Sequence, residues 1–209
     1  VTLDALMRRA EALAASSDRR ILGIVGAPGA GKSSLAAAIV EHLAPRACHV
    51  PMDGFHLANA ELDRLGRRGR KGAPDTFDVA GYVDLLGRLR AAHEEVVYAP
   101  EFRREIEEPV DRAIAIPRDV PLVVTEGNYL LLDEGPWAAV RPLLDEVWYI
   151  ETSESDRVEL LVQRHIAHGK DLAAARAWAL GSDQRNAETV AATRHRADLI
   201  TSVDPGVFP

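Results

Sequence analysis

The sequence predicts an α/β fold of three layers, with a mostly parallel central sheet between two layers of helices. Two observations carry that reading. Short apolar runs rich in β-branched residues alternate with stretches of helical periodicity, the order that builds strand–helix–strand units. The runs also lack polar alternation, as expected of strands covered on both faces.

The elements follow in order. Residues 3–15 place Leu3, Leu6, Met7, Ala10, Leu13 and Ala14 at helical spacing, and Ser16, Ser17 and Asp18 end that helix. Ile21-Leu22-Gly23-Ile24-Val25 reads as a buried strand. A Gly-rich turn leads to a helix over 35–43, and 47–52 reads as a second strand. Asp78 suits the N-cap of a helix over 79–92 whose Val79, Tyr82, Val83, Leu86 and Leu89 share a face. Short strands are predicted at 96–98 and 110–116, flanking a polar stretch, 100–109. Leu122-Val123-Val124-Thr125 is a further buried strand ending at Glu126-Gly127, and 147–150 is the next. Ser153 and Asp156 open a helix that Gly169 closes after His168. Two more helical stretches and a strand over 197–202 complete the chain. The most loop-like segment, and the one predicted to be mobile, is the Gly/Arg-rich 66–72.

Composition bounds the function. The 209 residues, 47% of them hydrophobic, suit one α/β domain, 1–209. The formal net charge of −7 argues against a general nucleic-acid binder. A single cysteine, Cys48, excludes an internal disulfide and a cysteine-based zinc site. No apolar run reaches the roughly 18 residues of a membrane span. The first residues lack the charged-then-apolar layout of a signal peptide, so the expectation is a cytoplasmic protein. Only three of the 25 basic residues are lysine, at positions 32, 71 and 170.

The strongest motif is Gly26-Ala27-Pro28-Gly29-Ala30-Gly31-Lys32-Ser33, which fits G-x-x-x-x-G-K-[ST]. Glycines let the backbone curl so that successive N–H groups face a phosphate, and the following helix turns its positive end to the same anion. Lys32 is placed to reach the β- and γ-phosphates of ATP, and Ser33 to ligate Mg²⁺. Ser34, next in the chain, joins the nucleotide-binding set. A Ras-type GTPase would need Asn-Lys-x-Asp, which is absent.

Asp53 follows the second strand, and Glu126 ends the strand 122–125. Strand carboxyl ends are where ligands bind in open α/β sheets. Asp53 there can take the proton of an acceptor hydroxyl. Glu126 can hold Mg²⁺ or touch the acceptor. His56, Tyr98, Phe102 and Arg103 are candidates for the acceptor pocket. Arg157, Arg164, His165, His168 and Lys170 form a cationic cluster suited to closing over phosphates. Arg67, Arg68, Arg70 and Lys71 form a basic loop suited to an anionic acceptor.

Five ordered blocks carry a resemblance: the Gly26–Ser33 motif, Met52-Asp53-Gly54-Phe55, Arg70-Lys71-Gly72-Ala73-Pro74-Asp75-Thr76-Phe77-Asp78, Glu126-Gly127-Asn128-Tyr129-Leu130 and Thr193-Arg194-His195-Arg196-Ala197-Asp198. With them the chain resembles the P-loop kinases of the phosphoribulokinase, uridine kinase and type I pantothenate kinase group, and the bacterial fructose-transport or nucleoside kinases. The resemblance implies a P-loop NTPase sandwich with a helical lid over about 157–171. It implies ATP- and Mg²⁺-dependent phosphorylation of a hydroxyl on a sugar, a pantothenate-like acid or a nucleoside. It places the base role on Asp53, the phosphate-clamping lid arginine on Arg164, an acceptor contact on Asn186 and a nucleotide-base contact on Arg194. The chain is shorter than the pantothenate kinases, and 98–108 does not closely match the acceptor wall of either the pantothenate or the uridine kinases. The small-molecule acceptor is the expected partner, without nucleic acid or membrane; a homodimer stays open. The alternative is a nucleotide-binding regulatory or assembly protein without metabolite turnover.

Overall fold

Alternation of strand and helix produces a five-stranded parallel sheet in the computed structural model, which describes residues 1–167 and 169–202. The strands are β1 (Arg20–Gly26), β2 (Ala47–Pro51), β5 (Leu122–Gly127), β6 (Glu146–Glu151) and β7 (Leu199–Ser202), in the spatial order β2-β5-β1-β6-β7. Between β2 and β5 the chain forms an antiparallel hairpin of β3 (Val96–Arg103) and β4 (Glu108–Pro117). The helices are α1 (Leu3–Ala14), α2 (Lys32–Leu43), α3 (Asn59–Arg64), α4 (Val79–Ala91), α5 (Glu154–Ala167), α6 (Leu172–Leu180) and α7 (Ser182–Ala192).

Strand pleating divides the core into two layers. Leu22 and Ile24 of β1, with Leu122 and Val124 of β5, pack under Leu6 and Ala10 of α1 and Leu35 and Ile39 of α2. Ile21 and Val25, with Val50 and Val123, face the opposite side against Tyr82, Leu86 and Leu89 of α4. A third, small cluster of Leu161, Val162, Ala175 and Ala179 joins α5 to α6. That helical hairpin therefore has its own core beside the sheet.

The predicted caps form. Gly81 N–H donates to Asp78 Oδ1 at 2.9 Å, and Asp156 N–H donates to Ser153 Oγ at 3.2 Å. Three elements differ from expectation. Helix α2 begins at Lys32 rather than Leu35, directly on the left-handed Gly31. The polar stretch 100–109 extends both hairpin strands instead of separating them as a loop, because the outer face of a projecting hairpin tolerates polar side chains. The 66–72 segment, expected to be loop-like, is tied to the rest of the fold at its C-terminal end. Tyr129 Oη and Asn186 Nδ2 both donate to the Gly72 carbonyl, Gly72 N–H donates to Thr76 Oγ1 at 3.0 Å, and Lys71 Nζ donates to Asn59 Oδ1 at 2.7 Å.

Candidate active site

Gly29 and Gly31 both adopt φ of +83°, which lets the loop from Gly26 to α2 turn its amides inward. A side chain at Gly29 would meet Leu161 Cγ at 2.9 Å and the Arg157 carbonyl at 3.0 Å, so α5 lies against this loop. Lys32, in the first turn of α2, is 8% exposed, and its Nζ donates to the Ala27 carbonyl at 3.0 Å. Burial lowers its pKa, while Glu126 and Asp53 oppose that shift.

Sheet register explains why two carboxylates distant in sequence meet beside Lys32. Pro51 of β2 is the partner of Glu126 on β5, and Glu126 in turn is the partner of Ile24 on β1. Asp53 lies two residues past that partner, in the 3₁₀ turn Met52–Phe55. Gly54 in this turn meets β3 so closely that an added Cβ would stand 2.3 Å from the Pro100 carbonyl oxygen. Glu126 is buried and accepts from Ser33 Oγ at 3.0 Å. Burial, and then the neighbouring Asp53, raise its carboxyl to about 7 against the pull of Lys32 and Ser33. His49 Nε2 is buried without a hydrogen-bond partner, 3.9 Å from Glu126 Oε1. Burial lowers that imidazole to about 4, so it faces Glu126 uncharged at neutral pH.

The Asp53 carboxylate opens onto a cavity of about 420 Å³ that also exposes Lys32, Ser33, Glu126, Arg164 and Asn186. Arg104 Nη2 approaches Asp53 Oδ2 at 3.8 Å. His56 lines the cavity with its ring between Phe77, at 4.1 Å, and Phe102, at 4.8 Å. Its Nδ1 donates to the Asp53 carbonyl at 2.8 Å, so it braces the turn rather than the carboxylate. Arg164 is largely buried and held below the ordinary arginine value, first by burial and then by Arg104. His165 pairs with Asp183 at 2.8 Å at the same rim. Asn186 spends its amide on the Gly72 carbonyl at 3.2 Å.

Tyr98 and Arg103 do not line this cavity. The hairpin register shifts between Ala99 and Glu101. Before the shift Val97 and Ala99 are buried and Tyr98 is exposed, stacked under Arg112; beyond it Phe102 faces the cavity. Arg103 instead pairs with Glu101 at 2.7 Å, and its neighbour Arg104 takes the cavity position. Arg104 and His49 were missed by sequence reasoning. A lone histidine within an apolar strand next to the Asp53 block was the available signal for His49; a hairpin irregularity has none.

The other side of the Gly-rich loop borders a second cavity of about 460 Å³, lined by Ala27, Glu151, Arg157 and Arg194 among others. Arg194 forms an ion pair there with Glu151. Ser34 lines neither cavity. His168, counted in the cationic cluster, lies outside the described residues. Lys32, Lys71 and Lys170, the three lysines of the chain, all line the first cavity.

No family model matches the chain. A Schizosaccharomyces pombe (strain 972 / ATCC 24843) protein provisionally named uridine kinase C227.14 is 33% identical over 175 residues, covering 79% of this chain and 74% of its own length. The pantothenate kinase of Clavibacter sepedonicus is 29% identical over 160 residues, covering 73% of this chain and 50% of its own. A crystal structure from Silicibacter sp. TM1040, provisionally named a fructose transport system kinase, superposes with a TM-score of 0.87 at 36% identity, over 96% of this chain and 99% of that one.

Proposed function

The chain belongs to the P-loop small-molecule kinases related to uridine kinase and pantothenate kinase, and from that premise we propose that it transfers the γ-phosphoryl group of ATP to a hydroxyl of a small metabolite. The observation that carries the proposal is the convergence of Lys32, Asp53 and Glu126 on one cavity at the carboxyl ends of adjacent strands.

In this reading the ATP phosphates rest on the loop amides and Lys32, and the nucleotide base extends into the second cavity beside Arg194. Asp53 takes the acceptor's hydroxyl proton as the new oxygen–phosphorus bond forms and the bond to the β-phosphate oxygen breaks, releasing ADP. Arg164, facing Asp53 and Glu126 from α5, meets the charge that spreads over the phosphoryl oxygens. Ser33 Oγ and the Glu126 carboxylate, 3.0 Å apart, are hard oxygen donors of the kind that hold Mg²⁺. Mg²⁺ is commonly held by one or two protein oxygens together with substrate phosphates. The ion would neutralise charge on the β- and γ-phosphates.

A regulator that binds ATP without turnover needs no acceptor space, and the residue-lined space of the first cavity around Asp53 favours turnover. The test is a screen of polyols, sugars, nucleosides and pantothenate with Mg-ATP, read by ADP release and by the mass of the product. ADP release dependent on one acceptor class supports the reading. ATP binding without acceptor-dependent ADP release across the panel would move it to the regulatory class.

A further inference from the structure

The chain carries a formal net charge of −7, yet the Asp53 cavity is lined by six lysines and arginines against four carboxylates. Lys32 and Arg164 have a use in the phosphates of ATP. Arg68 and Lys71 do not.

The basic loop divides its charges. Arg67 and Arg70 both turn to Asp75, at 3.2 and 3.8 Å. Arg68 and Lys71 line the cavity, and among the described residues neither has a carboxylate oxygen within 4 Å. Lys71 is nevertheless held in place. Its Nζ donates to Asn59 Oδ1 at 2.7 Å and to the Glu107 carbonyl, and stands 4.9 Å over the Phe102 ring. Both hydrogen-bond acceptors are neutral, so the ammonium keeps its charge uncompensated by a close partner and one of its three donors free. Arg68 keeps its whole guanidinium fork.

The two cations also sit at the end of the cavity away from the Gly-rich loop. The charged neighbours of Lys32 are Glu126, Asp53, Arg164 and Asp183. Those of Lys71 are Glu107, Glu108 and Arg68. His56 lies between the groups, with Asp53, Lys71 and Arg104 as its neighbours. A molecule with a hydroxyl at Asp53 that extends along the cavity past His56 reaches Arg68 and Lys71.

This inference rests on the kinase reading and narrows it. We propose that the acceptor is a hydroxylated organic anion, whose carboxylate or phosphate is held by Arg68 and Lys71 while its hydroxyl meets Asp53. Charge-assisted hydrogen bonds to a fork and a fixed ammonium select such a group over a neutral hydroxyl, and a neutral sugar or nucleoside leaves both cations unanswered.

The test uses the full chain with Mg-ATP and sets of acceptors built on one hydroxylated skeleton: the neutral polyol, its carboxylic acid and its phosphate monoester. One anionic member is expected to exceed the polyol in kcat/KM by about thirtyfold or more, the scale of a hydrogen bond to a charged group. Whichever of the two wins separates carboxylate from phosphate. Arg68→Ala and Lys71→Gln are each expected to raise the KM for that member about tenfold or more, with the KM for ATP moving far less. Arg68 is exposed, so its variant carries the test if loss of the Lys71 anchor prevents folding. A polyol that matches its anionic partners, or variants that leave the KM for the anion unchanged, would overturn the inference and leave the kinase reading standing. Turnover of no acceptor at all would remove both.

Discussion

Lys32 and Glu126 show how burial tunes individual residues. In the proposed reading the compact ammonium of Lys32, 8% exposed in the first turn of α2, reaches the phosphates as a point charge that the wider guanidinium fork of arginine does not reproduce. Lys32→Arg is expected to cut turnover with Mg-ATP about 100-fold or more, the scale of one lost transition-state contact. Glu126 has its folded-state carboxyl raised to about 7 from an ordinary 4.5. The folded protein therefore holds a proton that the unfolded chain releases between those values, and stability falls as pH rises through that window. Denaturant titrations of the metal-free protein should show wild type losing stability relative to Glu126→Gln from pH 4.5 to 7; a constant difference would mean that Glu126 ionises normally. At this scale the sequence was readable where backbone motif fixes side-chain placement, as for Lys32, Ser33 and Asp53. It was not readable in the hairpin. There a register shift decides that Phe102 and Arg104 meet the cavity while Tyr98 and Arg103 do not.

Among the elements, the sheet strands were the most legible, because a strand buried on both faces must be apolar almost throughout. The 66–72 segment was the least. Its glycines and arginines read as loop, but what ties its end at Gly72 comes from residues far along the chain, Tyr129 and Asn186 on the Gly72 carbonyl. The Met52–Phe55 turn depends in the same way on β3. Gly54→Ala would place a Cβ 2.3 Å from the Pro100 carbonyl oxygen, a rigid backbone neighbour. The expected cost is about 1–3 kcal/mol, read as a lower denaturant midpoint, with turnover reduced further because Asp53 shifts with the turn. An unchanged midpoint would show that β3 gives way. Tyr82 of α4 is tied to Thr125 at 2.6 Å, and Thr125 Oγ1 donates to the Val50 carbonyl at 2.6 Å. This buried chain joins α4 to β5 and β2, the strands that carry Glu126 and lead to Asp53. Tyr82→Phe leaves the Thr125 hydroxyl short of one partner and is expected to cost about 1–3 kcal/mol.

For the whole molecule, the chain order of α/β units was legible from hydrophobic pattern, and the parallel sheet then forces the ends of β2 and β5 together at the Gly-rich loop. Charge distribution was legible only in part. Composition showed an acidic chain with three lysines, and the fold gathers all three around one cavity. Chemistry assembled this way predicts that Asp53 is needed for the phosphoryl transfer and not for nucleotide binding. The most direct measurement compares wild type and Asp53→Asn in single-turnover phosphoryl transfer from Mg-ATP to the acceptor, alongside ATP affinity by calorimetry. Loss of transfer by about 100- to 10,000-fold, the range of general base catalysis, with ATP affinity retained, is the predicted result. Transfer at the wild-type rate would contradict it.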